Sequence, residues 1–215
     1  MPTPPTQRRH HRGLGEKRLA AHSKQASATH AHLVLIDETG LFLNPVVRRT
    51  WSIIGQTSVL DTDGGHRDKV SVISGISVSP NAQRLGFDFA TEPNGFFTTE
   101  KVVLFLRDLL KHLRGNVIVV WDRGNNHKGP IIREFLKTNR RLRLEMLPPW
   151  APDYNPIEDV WSWLKYGELA NFPPADIPEL DDTVIDRLIQ LKFDPDLLRA
   201  LWDRCQLPFP ARSNQ

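Results

Sequence analysis

The sequence predicts an α/β or α+β domain in which helices flank a mixed five-stranded sheet. Two apolar runs, HLVLID (32–37) and NVIVVWD (116–122), are typical of buried strands, and the second has the Val and Ile content of a strand covered on both faces. Two further runs, 69–79 and 84–91, alternate apolar and polar residues, which indicates antiparallel strands with one wetter face. The order of these patterns favours three strands, followed by helices that alternate with two more strands.

Segments in which apolar residues recur at helical spacing lie between the later strands. Thr98 or Thr99 can cap a first helix, and Gly115 ends it. The run 129–142 has a proline near its start and arginines near its end, as the helix dipole favours. The run 142–147 alternates again, which predicts the fifth strand of the sheet.

The C-terminal part of the chain is predicted to be helical. A helix is expected from Pro156 to about Glu168, and two amphipathic pieces follow at about 181–192 and 194–204. The last two pieces either complete the core or close a dimer. Core completion is the simpler interpretation and the one that we favour.

The formal net charge of +3 is unevenly distributed along the 215 residues. Residues 1–30 contain six Lys or Arg residues and a single Glu, with three prolines and few large apolar side chains. This composition predicts a disordered basic tail, which either binds phosphate groups or is simply solvated. The expected organisation is this tail, a folded domain at 31–170 and a helical extension at 171–215.

Composition excludes several classes of protein. A hydrophobic content of 40% and a charged content of 25% are ordinary for a globular domain. Cys205 is the one cysteine, which excludes an intramolecular disulfide and a four-cysteine zinc site. No apolar run approaches the roughly 20 residues of a membrane helix, and the basic N-terminus lacks the apolar stretch of a secretory signal.

Three acidic residues stand where an α/β domain places its ligands. Asp37 and Asp122 each end an apolar strand, whereas a charged carboxylate in the middle of such a strand would be costly. If the two strands are parallel neighbours, both carboxylates emerge at one sheet edge, which Glu158 can reach from its helix. Converging carboxylates repel one another, and a hard divalent ion such as Mg²⁺ or Mn²⁺ removes that repulsion.

Each acid also has a simpler explanation. Asn155 is a good N-cap, and Glu158 would then stand at the third position of a capping box. Asp37 and Asp122 could each begin a turn. Glu38 should point to the opposite side of its strand from Asp37, so we expect it at the surface or behind the site rather than among the ligands.

Three ordered blocks, LIDETG, VVWDRGNNHKG and LPPWAPDYNPIEDVWSWLK, resemble the signature blocks of mariner-type bacterial insertion-sequence transposases. That family belongs to the DDE endonuclease superfamily and has an RNase H-like catalytic domain. The resemblance runs from about residue 33 to 170 and implies the same α/β fold there. It also implies that Asp37, Asp122 and Glu158 are the catalytic acids and that they hold Mg²⁺ or Mn²⁺, as a pair of ions.

Other residues in these blocks have weaker assignments. His127 matches a histidine that recurs in the family, where it positions a carboxylate or a phosphate; a purely structural hydrogen bond is an equal alternative. Arg123, Asn126 and Lys128 are candidate contacts to the DNA backbone, or else polar residues of a solvated loop. Trp161 is expected to pack its helix against the sheet.

The family chemistry is hydrolysis of DNA at transposon ends, followed by strand transfer by the freed 3′-OH. The resemblance therefore implies DNA as partner, a homodimer on DNA and a cytoplasmic location in a prokaryote. Family members also carry a helix-turn-helix region, for which residues 1–30 are too short and polar, so a separately encoded half is one expectation. Two alternatives remain open: an RNase H-like nuclease without transposition activity, and a truncated, non-catalytic DNA-binding or regulatory protein derived from a transposase.

Overall fold

The structure is a computed structural model of the chain. It describes residues 25–26, 28–56, 59–60, 68–122, 124, 127–147 and 155–205. Most of the predicted basic tail lies outside these ranges. Among the described helices, none is both long enough and apolar enough to cross a membrane.

A five-stranded mixed sheet forms the centre of the fold, and its strand order is β3-β2-β1-β4-β5. Strands β1 and β2 pair antiparallel, as do β2 and β3, whereas β1 with β4 and β4 with β5 are parallel. The bounds of the strands are β1 Ala31–Phe42, β2 Lys69–Val78, β3 Leu85–Pro93, β4 Asn116–Trp121 and β5 Leu142–Met146. The predicted mixed sheet of five strands is confirmed.

Helices cover both faces of this sheet. On one face, α1 and α2 build a core with Val34, Ile36, Val119 and Trp121. On the other face, α3, α4 and α5 build a second core with strand residues that include Leu35. The bounds of the helices are α1 Thr99–His112, α2 Pro130–Thr138, α3 Pro156–Trp163, α4 Ile177–Phe193 and α5 Pro195–Trp202.

Strand β2 corrects one expectation from the sequence. Its alternation of Val and Ser residues predicts a wetter face, but every residue from Val70 to Val78 is buried. Small polar side chains such as Ser71 and Ser77 are almost fully shielded from solvent, and Ser71 donates to the carbonyl of Gly95. The antiparallel pairing is as predicted, and β3, at the edge of the sheet, has a partly exposed face.

The helix boundaries follow local capping. Thr98 caps α1 by accepting a hydrogen bond from the amide of Lys101, as predicted. The helix ends at His112, and Gly115 then takes a positive φ of 82° that turns the chain into β4. Helix α2 ends earlier than the sequence predicts, at Thr138.

Helix α3 changes its geometry after two turns. It runs from Pro156 to Trp163, and a π-helical turn continues it over Leu164–Glu168. The predicted helix to about Glu168 is therefore present, but its last turn is wider. Such π-turns rotate the residues that follow them and occur often at functional sites.

The two C-terminal helices belong to the same core as the sheet. Leu188, Leu201 and Trp202 are buried together with Leu35 of β1. Helix α4 begins at Ile177, before the predicted 181, because Asp176 caps it and Pro178 fits the first turn. Core completion is thus the role that these helices have in the structure.

A pair of adjacent residues tests this role of α4. Leu188→Ala should lower the free energy of unfolding by about 2–4 kcal/mol, because Leu188 is fully buried. Ile189→Ala is the matched control and should cost less than about 1 kcal/mol, since that side chain is 41% exposed. Urea titration followed by circular dichroism measures both values, and equal small losses would contradict a shared core.

Candidate functional site

Asp37 and Asp122 come together at one edge of the sheet. The parallel ladder of β1 and β4 ends with the pair Leu35 and Val120. The same register brings Asp37 level with Asp122, two residues further on. The condition on which the sequence argument depended, that these strands are parallel neighbours, is met.

Both aspartates also belong to the same face of the sheet. Side chains alternate along a strand, so Asp37 shares its face with Leu35, and Asp122 shares its face with Val120. Leu35 and Val120 both lie in the core under α3, α4 and α5. The two carboxylates therefore emerge on the side of the sheet that α3 covers.

Glu158 lies in the first turn of α3, which contacts β1. Asn155 caps this helix by accepting a hydrogen bond from the amide of Ile157 at 3.3 Å. Among the described contacts, the amide of Asn155 donates no bond to Glu158, so the reciprocal half of a capping box is not formed. Glu158 is exposed as a whole residue, although its carboxyl group is partly shielded from solvent, and a capping box does not occupy it.

Glu158 and Asp122 each lie close enough to Asp37 to influence its carboxyl group electrostatically. Burial, the charge of Glu158 and the charge of Asp122 raise the pKa of Asp37 to about 6. Burial and the adjacent Asp159 raise the pKa of Glu158, against the opposing charge of Lys165. Burial lowers the pKa of Lys165, while the charges of Glu158 and Asp37 act in the opposite direction. The site therefore favours a proton or a cation beside Asp37.

Trp161 holds one oxygen of Asp37. Its indole Nε1 donates to Asp37 Oδ2 at 3.1 Å, from a ring that is 4% exposed. The predicted packing of Trp161 against the sheet is confirmed. The hydrogen bond is a second role that sequence reasoning missed, and the signal was its position three residues after Glu158, on the same face of the helix.

Asp122 is likewise held by one oxygen. His127 Nδ1 lies 2.8 Å from Asp122 Oδ1, and the amide of Gly124 donates to the same oxygen at 2.8 Å. Among the described contacts, Oδ2 has no protein partner. The carboxylate is thus oriented through this inner oxygen, Oδ1.

His127 connects Asp122 to the opposite face of the sheet. It is buried, and it stacks on Trp121 with ring centroids 4.3 Å apart and an interplanar angle of 3°. Its Nε2 lies 3.1 Å from Glu38 Oε1. Glu38 lies behind the site, as the strand alternation predicts. Both ring nitrogens face carboxylates, so both can donate only in the protonated form.

The protonated form of His127 is favoured in this position. Burial opposes it, but the hydrogen bond to Glu38 and the charges of Glu38 and Asp122 outweigh burial and raise the pKa of His127. Of its neighbours in the same block, Lys128 is exposed. Arg123 and Asn126 lie outside the described residues, so their predicted contacts to the DNA backbone stay predictions.

The donor chemistry of the three acids fits a hard divalent cation, since all donors are carboxylate oxygens. The raised pKa of Asp37 shows that this position favours neutralisation of its charge. Within the described residues, however, no three side chains of His, Cys, Asp or Glu are grouped closely enough to form a complete set of ligands. The acids are neighbours in electrostatic range, and the hydrogen bonds to Trp161 and His127 fix how two of them are oriented.

Comparison with known proteins identifies the family. A model of the DDE superfamily endonucleases matches residues 32–181. The chain belongs to this family. The matched range includes all three predicted acids, all of the sheet except Ala31, and helix α3.

Solved structures of Mos1 mariner transposase share the fold. The Mos1 paired-end complex with the left transposon end matches with a TM-score of 0.60 at 17% identity, over 95% of this chain and 60% of that chain. The Mos1 catalytic domain matches with a TM-score of 0.55 at 14% identity, over 95% of this chain and 89% of that domain. The fold is therefore the RNase H-like fold of a DDE transposase catalytic domain, as the sequence blocks imply.

The chain spans about 60% of the longer Mos1 chains that it matches. No curated protein sequence matches the chain.

Substitution of Asp37 tests whether its charge destabilises the folded protein. Asp37→Asn should raise Tm in metal-free buffer near pH 7, and the gain in the free energy of unfolding should be at most about 3 kcal/mol. The reason is that the substitution removes a charged carboxylate from a partly buried, negative site, while Asn can still accept the hydrogen bond from Trp161. Because the folded pKa lies above the unfolded one, the wild-type protein loses this stability as pH rises from about 4 to above about 6, whereas the Asn variant does not.

Differential scanning fluorimetry across that pH range measures the effect. Asp182→Asn, an exposed acid on α4, is the control and should behave like the wild type. A variant of Asp37 that melts earlier than the wild type at pH 7 would contradict the electrostatic account of the site.

Proposed function

We propose that this chain is the catalytic domain of a transposase that cleaves DNA at transposon ends and joins them to a target, with Mg²⁺ or Mn²⁺ and the acids Asp37, Asp122 and Glu158. The observation that carries the proposal is the register of β1 and β4, which brings two strand-end aspartates level on the face covered by the helix of Glu158. Membership of the DDE endonuclease family supports the same function.

The free oxygens of the acids are the groups that would hold the ions. Asp37 uses Oδ2 to accept from Trp161, and Asp122 uses Oδ1 to accept from Gly124 and to contact His127. The other oxygen of each, with those of Glu158, would then provide the ligands of the ions. When bound, a pair of divalent ions activates the attacking oxygen and stabilises the leaving oxygen in phosphodiester chemistry.

The reaction needs no covalent protein nucleophile. In the first step a water oxygen bonds to phosphorus, the bond from phosphorus to the 3′ oxygen breaks, and that oxygen leaves as a 3′-OH. In the second step this hydroxyl attacks a target phosphate and displaces the target's own 3′ oxygen. The protein's part is to hold the acids, orient Asp37 and Asp122 through Trp161 and His127, and limit water around the partly buried Asp37.

The DNA partners follow from the proposed chemistry. The Mos1 neighbours include a paired-end complex with a transposon end, a strand transfer complex, and paired-end complexes with Mn and with Mg. By analogy we propose that this chain acts on two DNA ends as a homodimer. A separately encoded helix-turn-helix half would supply recognition of the end sequence.

Metal binding is the first test of the triad. Mn²⁺ should raise the Tm of the wild-type protein, because an ion that binds only the folded state stabilises it. Asp122→Asn should remove most of this rise, since it takes one charge from the set of acids. Asp182→Asn is the control and should keep the rise. Equal shifts in the wild type and Asp122→Asn would contradict the assignment of the site.

DNA cleavage is the second arm of the same test. Supplied with the element's own ends, the wild-type protein should nick them with Mg²⁺ or Mn²⁺ and then join the labelled 3′-OH to a target. Nicking without joining would identify a nuclease without transposition activity. Metal-independent DNA binding without nicking would identify a regulatory protein.

The role of His127 in positioning Asp122 can be tested separately through the affinity for Mn²⁺. His127→Ala should weaken Mn²⁺ binding about 10- to 100-fold by releasing the inner oxygen of Asp122. His127→Gln, which keeps one donor, should recover part of the affinity, and His112→Ala is the exposed control. Isothermal titration measures the Kd, and an unchanged Kd in a folded His127→Ala variant would show that His127 has only a packing role.

A further inference from the structure

The face of β2 that α3 covers carries a polar residue in an apolar row. The residues that alternate onto this face are Val70, Val72, Ser74, Ile76 and Val78. The four apolar members belong to the core under α3, α4 and α5, and Ser74 between them is 0% exposed. Among the described residues, its hydroxyl has no hydrogen-bond partner. A buried hydroxyl without a partner lowers the stability of a fold, so its presence here requires an explanation.

Ser74 lies directly opposite Asp37 in the antiparallel ladder of β1 and β2. Directly opposed residues project to the same face of a sheet, with their Cβ atoms about 4.5–5.5 Å apart. Rotation about one side-chain torsion of Ser74 therefore brings its Oγ within hydrogen-bond distance of the Asp37 carboxylate. On the other side, β3 pairs Ser74 with Phe89, whose side chain has no hydrogen-bonding atom. Asp37 is thus the acceptor that the ladder places beside this hydroxyl.

The carboxylate of Asp37 can accept a further hydrogen bond. An ionised carboxylate has about four acceptor positions on its two oxygens. The indole of Trp161 and the backbone amide of Glu38 donate to two of them. A divalent ion and the Ser74 hydroxyl would complete the set. Trp161 approaches from α3 and Ser74 from the neighbouring strand, so the two donors would hold the carboxylate from different directions.

We propose that Ser74 is a positioning residue of the acidic site: its hydroxyl donates to Asp37 when that carboxylate binds a divalent ion, and so fixes the plane of the carboxylate. The inference rests on the proposed function, because the ion is the one that the three acids would hold. Ser74 acts through Asp37 and touches neither the ion nor the DNA. Its hydroxyl breaks no other protein hydrogen bond within the described residues when it turns to donate.

A purely structural role of Ser74 predicts a different behaviour. Strand β2 contacts α3, and a small side chain at this position makes room for the helix. Alanine is as small as serine and leaves no buried hydroxyl unsatisfied. If space were the reason for Ser74, Ser74→Ala would improve the fold and leave metal binding unchanged.

Ser74→Ala should instead have opposite effects on stability and on metal binding. It should raise Tm in metal-free buffer by about 2–4 °C, because it removes a buried donor that has no partner. It should also weaken Mn²⁺ binding about tenfold, as the loss of a residue that orients a metal ligand does. Differential scanning fluorimetry measures Tm, and isothermal titration measures the Kd on the same preparation.

Two further variants separate the hydroxyl from the packing. Ser71→Ala is the matched control on the opposite face of the same strand, where Ser71 Oγ donates to the carbonyl of Gly95 at 2.7 Å. It should lower Tm and leave the Kd unchanged. Ser74→Thr keeps the hydroxyl and adds a methyl group to a closed position, so it should lower Tm by overpacking and keep the Kd close to that of the wild type.

The proposal is overturned by an unchanged Kd in Ser74→Ala, or by an equal loss of affinity in Ser71→Ala or Ser74→Thr. A lower Tm of Ser74→Ala would also overturn it, since the hydroxyl would then already have a partner. A wild-type protein without affinity for Mn²⁺ would overturn it together with the proposed metal site.

The role of Ser74 and the proposed catalysis fail separately. Weaker Mn²⁺ binding by Ser74→Ala, without nicking of DNA by the wild type, supports the role of Ser74 and counts against the catalysis. Nicking that Asp122→Asn abolishes, with an unchanged Kd in Ser74→Ala, supports the catalysis and counts against the role of Ser74.

Discussion

The parallel pairing of β1 with β4 is the constraint on which the site depends. These two strands are far apart in the sequence, and their register alone decides which strand-end residues become neighbours. A shift by one residue would turn Asp122 to the opposite face, away from Asp37. The continuous Val and Ile content of β4 and the buried β1 fix the register, because every side chain of both strands must fit a core on one face or the other. Core packing therefore determines the geometry of the acids.

Gathering acids at one edge costs stability, and the surrounding residues limit this cost in different ways. Trp161 donates to Asp37 from the buried side, and His127 holds Asp122 while Glu38 favours the charge on the imidazole. Lys165 is close enough to oppose the negative charge, although it forms no ion pair with any carboxylate in the described part of the chain. The raised pKa of Asp37 shows that these contacts only partly offset burial and repulsion. Such residual destabilisation is common where a site is built to receive a ligand of opposite charge.

The sequence predicts the strands, their order and the two strand-end aspartates, because these depend on local apolar patterns that the core then enforces. It also predicts that Glu38 lies behind the site, since alternation along a strand is a local rule. It does not predict the contact of His127 with Glu38, which joins residues 89 positions apart in the sequence. The position of Lys165 depends on a π-helical turn that no propensity in the sequence signals. Long-range side-chain contacts of this kind follow from packing rather than from pattern.

The C-terminal helices connect core packing to the position of Glu158. Helix α3 contacts β1 and β2 on one side and α5 on the other, and Trp202 of α5 is buried in the same cluster as Trp161. Trp161 orients Asp37 and lies one turn from Glu158. The packing of α3 against the sheet and α5 therefore determines the positions of both acids. The family match ends at residue 181, early in α4, yet the core that supports α3 continues through α5. The core that supports α3 therefore includes helices that follow residue 170, and their packing helps to hold Trp161 and Glu158 in place.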